Sequence, residues 1–255
     1  MNRRPRAART IGIPAGGHDL AAPPPRIEGI DALRGAAILA MIAYHFCFDL
    51  RYYGVLNADF EHSPFWLTAR SLILSSFLLL AGISLVLAVR ANPSPAKFWR
   101  RVGVIALCAI AVSAGSYALF PKTFIWFGVL HAIAVSLVLA RPLVARPALA
   151  LALGLAVVVA GVGFAHSSFN QLPLAWIGFM TVRPATVDYV PLFPWTGVLL
   201  LGVALGHTLC RNNWSAAAGA QRWPGWVAFL GRHSLAVYML HQPLLIGVLW
   251  LALKA

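Results

Sequence analysis

The feature that most constrains this chain is the recurrence of uninterrupted apolar runs about 20 residues long, the length a helix needs to cross the hydrocarbon of a bilayer. Seven such runs are present: Gly29 to Leu50, Phe65 to Val89, Val102 to Phe120, Phe124 to Ala140, Pro147 to Ala165, Tyr189 to Cys210 and His233 to Leu253. Inside lipid no water can satisfy a free N–H or C=O, so runs of this length and composition are expected as helices. The fold class they predict is all-α, a polytopic transmembrane bundle of about seven spans. Trp66, Trp99, Trp126, Trp195, Trp214 and Trp250 fall near run ends, where an indole prefers the membrane interface. Composition agrees: 60% of residues are apolar and 11% charged, against about a quarter charged in a soluble domain.

The net charge of +13 does not indicate nucleic acid, because the cations sit at the ends of apolar runs and form no polar binding face. They read instead as topology signals. Arg3, Arg4, Arg6, Arg9, Arg26 and Arg34 precede or open the first run, Arg90, Lys97, Arg100 and Arg101 fill the second connection, Arg141 and Arg146 the fourth, and Arg211, Arg222 and Arg232 the sixth. Together they hold most of the 20 Lys and Arg. By the positive-inside rule the N-terminus is expected to be cytoplasmic, and seven spans put the C-terminus outside. Residues 1–25, rich in Arg, Gly, Ala and Pro, read as a disordered basic cytoplasmic tail, and residues 26–255 as one transmembrane domain. Ser167 to Asp188 is broken by Pro173 and Pro184 and is expected to be an outer loop dipping into the interface. Cys47, Cys108 and Cys210 have neither disulfide nor metal-ligand spacing, and no metal is expected.

An ionisable residue inside a span is costly, so it points to function by default. The first run, IDALRGAAILAMIAYHFCFDLR, concentrates them. Arg34 and His45 are eleven positions apart, about three turns plus 20°, and so share a helix face at an axial separation of about 16 Å. Asp49, four positions beyond His45, continues the stripe. An elongated ligand suits it: the Arg34 fork would hold a phosphate end, and His45, oriented by Asp49, would meet the reacting end. Snorkelling by Arg34, an interhelical hydrogen bond by His45 and pairing of Asp49 with Arg51 or Arg70 are the structural alternatives. His131 and His241 are placed mid-span and are expected to reach the His45 cavity, with Arg70 and Gln242 as further lining candidates. His207 and His233, beside Arg211 and Arg232, are expected to form a phosphate-binding rim at the inner face.

The segments DALRGAAILAMIAYHFCFDL, FGVLHAIAVS, DYVPLFPWTGVLLLGVALG and LGRHSLAVYMLHQPLLIG resemble the short bacterial members of the heparan-alpha-glucosaminide N-acetyltransferase catalytic-domain family, over roughly Arg26 to Leu249. Arg34 and His45 also match the Arg-x(10)-His signature of the membrane acyltransferase-3 proteins. The resemblance implies transfer of an acetyl group from cytoplasmic acetyl-CoA, or another acyl-CoA, to an amine or hydroxyl of an extracytoplasmic sugar or glycan. Acetyl-CoA would be a co-substrate and no cofactor would be permanently bound. In that reading His45 and Asp49 are catalytic, Arg34, His207, Arg211, Arg232 and His233 bind the donor, and His241 and Gln242 are candidates for stabilising an oxyanion. The expected setting is the multi-pass inner membrane of a bacterial cell, with lipid as the surrounding partner.

Two other function classes use the same residues. A transporter or lipid flippase would employ Arg34, His45 and Asp49 as a substrate or proton path. A haem or quinone protein would use His45, His131 or His241 as axial ligands, and a Soret band in the purified protein would reveal it.

Overall fold

The computed structural model of the chain describes residues 27–92, 94–211 and 223–254. The basic leader 1–25, together with Arg26, Trp214 and Arg222, lies outside the described residues. Among those described, every regular element is helical and none is a strand. Seven apolar helices match the seven apolar runs: α1 (Glu28–Tyr52), α2 (Pro64–Ala91), α3 (Pro95–Leu119), α4 (Val129–Ala140), α5 (Pro147–Gly163), then α7 (Leu192–Arg211) and α9 (Ser234–Lys254). Two short helices, α6 (Leu172–Ala175) and α8 (Gly225–Arg232), lie between them. Among the described residues, five helices are long and apolar enough to cross a membrane: α1, α2, α3, α7 and α9. The helices α4 and α5 are shorter, α4 being prolonged by a 3-10 turn at Arg141–Leu143.

Local chemistry sets the helix starts. Pro64, Pro95 and Pro147 stand at the first helical positions of α2, α3 and α5, where the missing N–H costs nothing and the fixed φ suits the helix. One start differs from the apolar pattern. The fourth run begins at Phe124, but α4 begins at Val129 because Ser116 Oγ accepts the Ile125 N–H and Ser113 Oγ donates to the Ile125 carbonyl, holding residues before Gly128 in a turn.

The core lies among α2, α3, α4, α5 and α7, where Leu78, Leu85, Val86, Ala109, Leu137, Ala150, Leu199 and Val203 are enclosed. Small residues let backbones touch, the usual device where lipid supplies no hydrophobic drive between helices. A Cβ at Gly202 on α7 would fall 2.9 Å from Leu79 Cα of α2, and one at Gly82 of α2 would fall 2.8 Å from Val203 N of α7. Outward-facing Leu107, Ile110, Val159, Val162 and Val248 remain exposed as an apolar belt suited to acyl chains.

On the opposite side α1 packs on α2, α8 and α9. The helix α8 was not expected in the sixth connection. Val227 and Ala228 bury against Ala32 of α1, and Gly231 abuts the Asp31 carbonyl so closely that no side chain fits. The expected outer loop forms no span: a 3-10 turn at Ser167–Asn170 and α6 are its only helical pieces among the described residues. It folds back over the bundle end through Leu192 N–H to Trp176 O, Val190 N–H to Phe127 O and Val187 N–H to Thr123 O.

Candidate active site

The stripe on α1 is realised as one unbroken helix, with Arg34 and His45 at different depths. Near the start of α1, Arg34 Nη1 donates to Asp31 Oδ1 at 2.8 Å, and Nη2 donates to Ser84 Oγ of α2. Asp31 is buried at 7% exposure, so this ion pair fixes the guanidinium in place and leaves it no snorkelling freedom. Arg101 on α3 adds a second positive charge felt by Arg34 at this end.

Further along, α1 and α9 exchange their polar side chains in two rungs. His45 and His241 rings meet edge to face, centroids 4.9 Å apart at 77°. One turn beyond, Gln242 Nε2 donates to Asp49 Oδ1 at 2.8 Å. The expected orientation of His45 by Asp49 is not how the ring is held: its Nδ1 lies 2.9 Å from the carbonyl of Met41 on its own helix. A carbonyl only accepts, so Nδ1 carries the proton and Nε2 presents a lone pair. His241 is held the same way, Nδ1 lying 2.6 Å from Tyr238 O, which leaves Nε2 as a lone pair.

Three buried atoms at these rungs have no partner among the described residues: Asp49 Oδ2, His241 Nε2 and Gln242 Oε1. Asp49 and His241 are 4% and 8% exposed. Buried polar groups are nearly always satisfied, so these atoms call for partners from outside the chain, water or a ligand. With His45 Nε2 added, the cluster is made of acceptors. It can receive a group rich in N–H or O–H. With Nδ1 protonated, His241 Nε2 does not donate to an oxyanion as expected, whereas the Gln242 amide keeps a second N–H beyond the one given to Asp49.

His131 does not join the cluster. Because α4 starts at Val129, His131 sits in its first turn: Nδ1 accepts from Gly128 N at 3.3 Å and Nε2 lies 3.4 Å from Ser113 Oγ. Its role is that of a helix cap. Asp188, in the loop before α7, completes the cap by accepting from Val129 N at 3.0 Å. Burial raises the Asp188 carboxyl above the ordinary carboxylate range, against the Val129 N–H, which lowers it.

The predicted donor rim is partly committed elsewhere. His207 accepts from Arg90 Nη2 at Nδ1, 3.1 Å, and its Nε2 donates to the Val144 carbonyl, so neither nitrogen is free for a phosphate. It joins α2, α7 and the fourth connection. Arg211, Arg232 and His233 are exposed, the last with Nδ1 on Phe229 O at 3.0 Å. Contacts sort the residues into two ends: Arg34, Ser84, Arg90, His207 and α8 at one, Asp49, Arg70 and Asp188 toward the other.

Sequence reasoning passed over Asp31, Ser84, Arg183, Asp188 and Tyr238. Asp31 stands three residues before Arg34, a helical ion-pair spacing that was readable. Arg183 and Asp188 are charges in the otherwise apolar segment before α7, a signal of the same kind. Nothing marks Ser84, a small residue in an apolar helix.

A family model described as heparan-alpha-glucosaminide N-acetyltransferase, catalytic, matches residues 26–243. No curated protein and no solved structure matches the chain.

Proposed function

The chain belongs to the heparan-alpha-glucosaminide N-acetyltransferase catalytic family, a family of membrane acetyltransferases, and from that premise we propose that it moves an acetyl group from cytoplasmic acetyl-CoA to the amine of an amino sugar at the other membrane face. The observation that carries the choice of an amine is the set of four acceptor atoms, His45 Nε2, His241 Nε2, Asp49 Oδ2 and Gln242 Oε1, gathered where α1 meets α9. An ammonium brings three N–H donors and a charge that the Asp49 carboxylate offsets. A sugar hydroxyl brings one donor and leaves acceptors unpaired, at a cost of about 1–3 kcal/mol each.

In this reading Asp49 and Gln242 hold the acceptor nitrogen and His45 Nε2 removes its proton. The freed amine attacks the thioester carbonyl, the C–N bond forms, the C–S bond breaks, and the second proton that the nitrogen loses on becoming an amide is released to water. The proton held on His45 then passes to the departing thiolate, so acetyl-CoA and amine become amide and free CoA. General base catalysis of this kind is worth about 10²–10⁴ in rate. Arg34 binds the phosphates of the donor about 16 Å deeper along α1. His233, Arg211 and Arg232 are exposed and contribute a basic approach to it.

The test is transfer from labelled acetyl-CoA by the purified full chain in nanodiscs, with glucosamine and glucose as acceptors. Labelled N-acetylglucosamine is expected in excess over any glucose ester, with loss of product in His45→Gln. Absence of transfer to either sugar, or equal transfer to both, overturns the reading.

A further inference from the structure

The α1 face next to the His45–Asp49 stripe is aromatic. Tyr44 and Phe48 stand four positions apart and so align along the helix. Both meet Phe60, from the connection between α1 and α2, edge to face with centroids 5.4 Å apart. Phe60 is 3% exposed and stacks on Trp66 near the start of α2, centroids 4.1 Å apart at 26°. Tyr44 meets both Trp66, at 5.7 Å, and His45, at 5.8 Å, again edge to face. Since His45 in turn meets His241 at 4.9 Å, the rings run without a break from α2 across α1 to α9. His45 stands where the aromatic stretch gives way to the polar rungs.

Phe60 is enclosed, whereas Tyr44, Trp66 and His45 are each half-buried. Neither the Tyr44 hydroxyl nor the Trp66 indole N–H has a hydrogen-bond partner among the described residues. A membrane-interface anchor also leaves such polar tips to water, but it has no need to touch an imidazole whose Nε2 is open. Here an apolar ring surface with two polar tips adjoins the free acceptors of the rungs. A pyranose bearing an amine matches all three features. Its C–H face is apolar and packs on an aromatic ring, its rim carries hydroxyls for the phenol and the indole N–H, and its nitrogen reaches the acceptors. An acyclic amine fills the acceptors and leaves the ring surface to water, and a ring without hydroxyls leaves the two tips unpaired.

We infer that Tyr44 and Trp66 form a stacking wall for the sugar ring of the acceptor, with the ring's amine turned toward His45 and Asp49. The inference rests on the acceptor role given to His45 above, but the wall can be read by binding alone. Phe60 supports the wall from behind, so the connection between α1 and α2 takes part in selecting the acceptor.

The experiment is calorimetric titration of the full chain in nanodiscs, without acetyl-CoA and with empty nanodiscs as the blank. The probes are glucosamine, cyclohexylamine, ethanolamine and glucose. Wild type is expected to bind glucosamine about tenfold more tightly than ethanolamine, the scale of one stacked ring, with cyclohexylamine between them. Trp66→Leu should bring glucosamine and ethanolamine together, and Trp66→Phe, which keeps a ring, should retain more of the gap. Tyr44→Phe should narrow the gap between glucosamine and cyclohexylamine, because only a hydroxyl is lost. That hydroxyl bonds nothing in the protein, so Tyr44→Phe decides the matter even where Trp66→Leu does not fold. Equal wild-type affinity for glucosamine and ethanolamine, binding of none of the amines, or gaps that persist unchanged in the folded variants overturns the wall. Glucose binding as tightly as glucosamine, or absence of acetyl transfer in the presence of the ring preference, counts against the proposed function alone. Transfer that does not distinguish glucosamine from ethanolamine counts against the wall alone.

Discussion

Gln242→Leu separates what the α1–α9 rungs do for the fold from what they do for chemistry. Asp49 is 4% exposed, one of its oxygens is held by the Gln242 amide at 2.8 Å, and the other has no protein partner. Replacing the amide by an isobutyl group leaves a carboxyl between two helices with no donor at all. A hydrogen bond to a charged group is worth about 1.5–3 kcal/mol, although measured interhelical bonds in membranes average only about 0.6 kcal/mol, because the separated helices find other partners. The buried charge favours the upper figure, so Gln242→Leu should destabilise by about 2 kcal/mol. Asp49→Leu with Gln242→Leu removes both partners, and the pair of leucines packs, so the double variant should be more stable than the sum of the single changes by about 1–2 kcal/mol. Unfolding by sodium dodecyl sulfate titration in bicelles measures all four corners of the cycle. Acetyl transfer, assayed on the same samples, should be lost in the double variant in spite of its recovered stability. Additivity within about 0.3 kcal/mol would refute the rung, and a stable, fully active double variant would refute the acceptor cluster.

His45→Gln should lower kcat by about 10²–10⁴ with little change in KM for acetyl-CoA, because the imidazole meets the acceptor and not the donor's phosphates; a changed KM alone would contradict its assignment. Arg34→Gln should raise KM for acetyl-CoA and, by stranding buried Asp31, lower thermal stability. In Arg34→Gln/Asp31→Asn the stability should return while KM stays high, and a normal KM would mean that the ion pair is purely structural. Gly231→Ala should release α8 from α1, since its Cβ would strike the Asp31 carbonyl and come within 2.9 Å of Gly35 N; the expected loss is about 1–3 kcal/mol, and an unchanged unfolding midpoint would count against this packing. The Asp59 carboxyl is held below the ordinary range by the backbone N–H groups of His62 and Glu61. Its contribution is present above the ordinary carboxylate pKa of about 4 and is lost as pH falls through the depressed value. Hydrogen exchange at the Glu61 and His62 amides should accelerate over that window in wild type, and Asp59→Asn should show no such step.

Much of the stripe was legible because helical periodicity acts within a single element: Arg34, His45 and Asp49 share a face whatever surrounds them. His241 and Gln242 were visible as polar residues in an apolar run, and their meeting with His45 and Asp49 follows from α1 packing on α9. The misreading of His131 has a physical origin. Hydropathy continues smoothly from Phe124 into α4, while the hydrogen bonds of Ser113 and Ser116 hold that stretch in a turn, so a residue that looked central lies in the first helical turn. His207 was read correctly as near a helix end, but its two partners, Arg90 and Val144, come from elements far apart in sequence.

The sequence by itself determined the solvent, the element type and the face. A composition of 60% apolar residues arranged in membrane-length runs admits little besides helices in lipid, and the spacing on α1 sets which ionisable groups align. Tertiary structure alone decided how those groups are used. The ring nitrogens left free on His45 and His241 depend on the carbonyls of Met41 and Tyr238, the open oxygen of Asp49 on where Gln242 stands, and the cap on α4 on how the loop before α7 brings Asp188 to Val129. Hydrogen bonds and charges act over a few ångströms, and distances that short are set by the packing of helices distant in the chain.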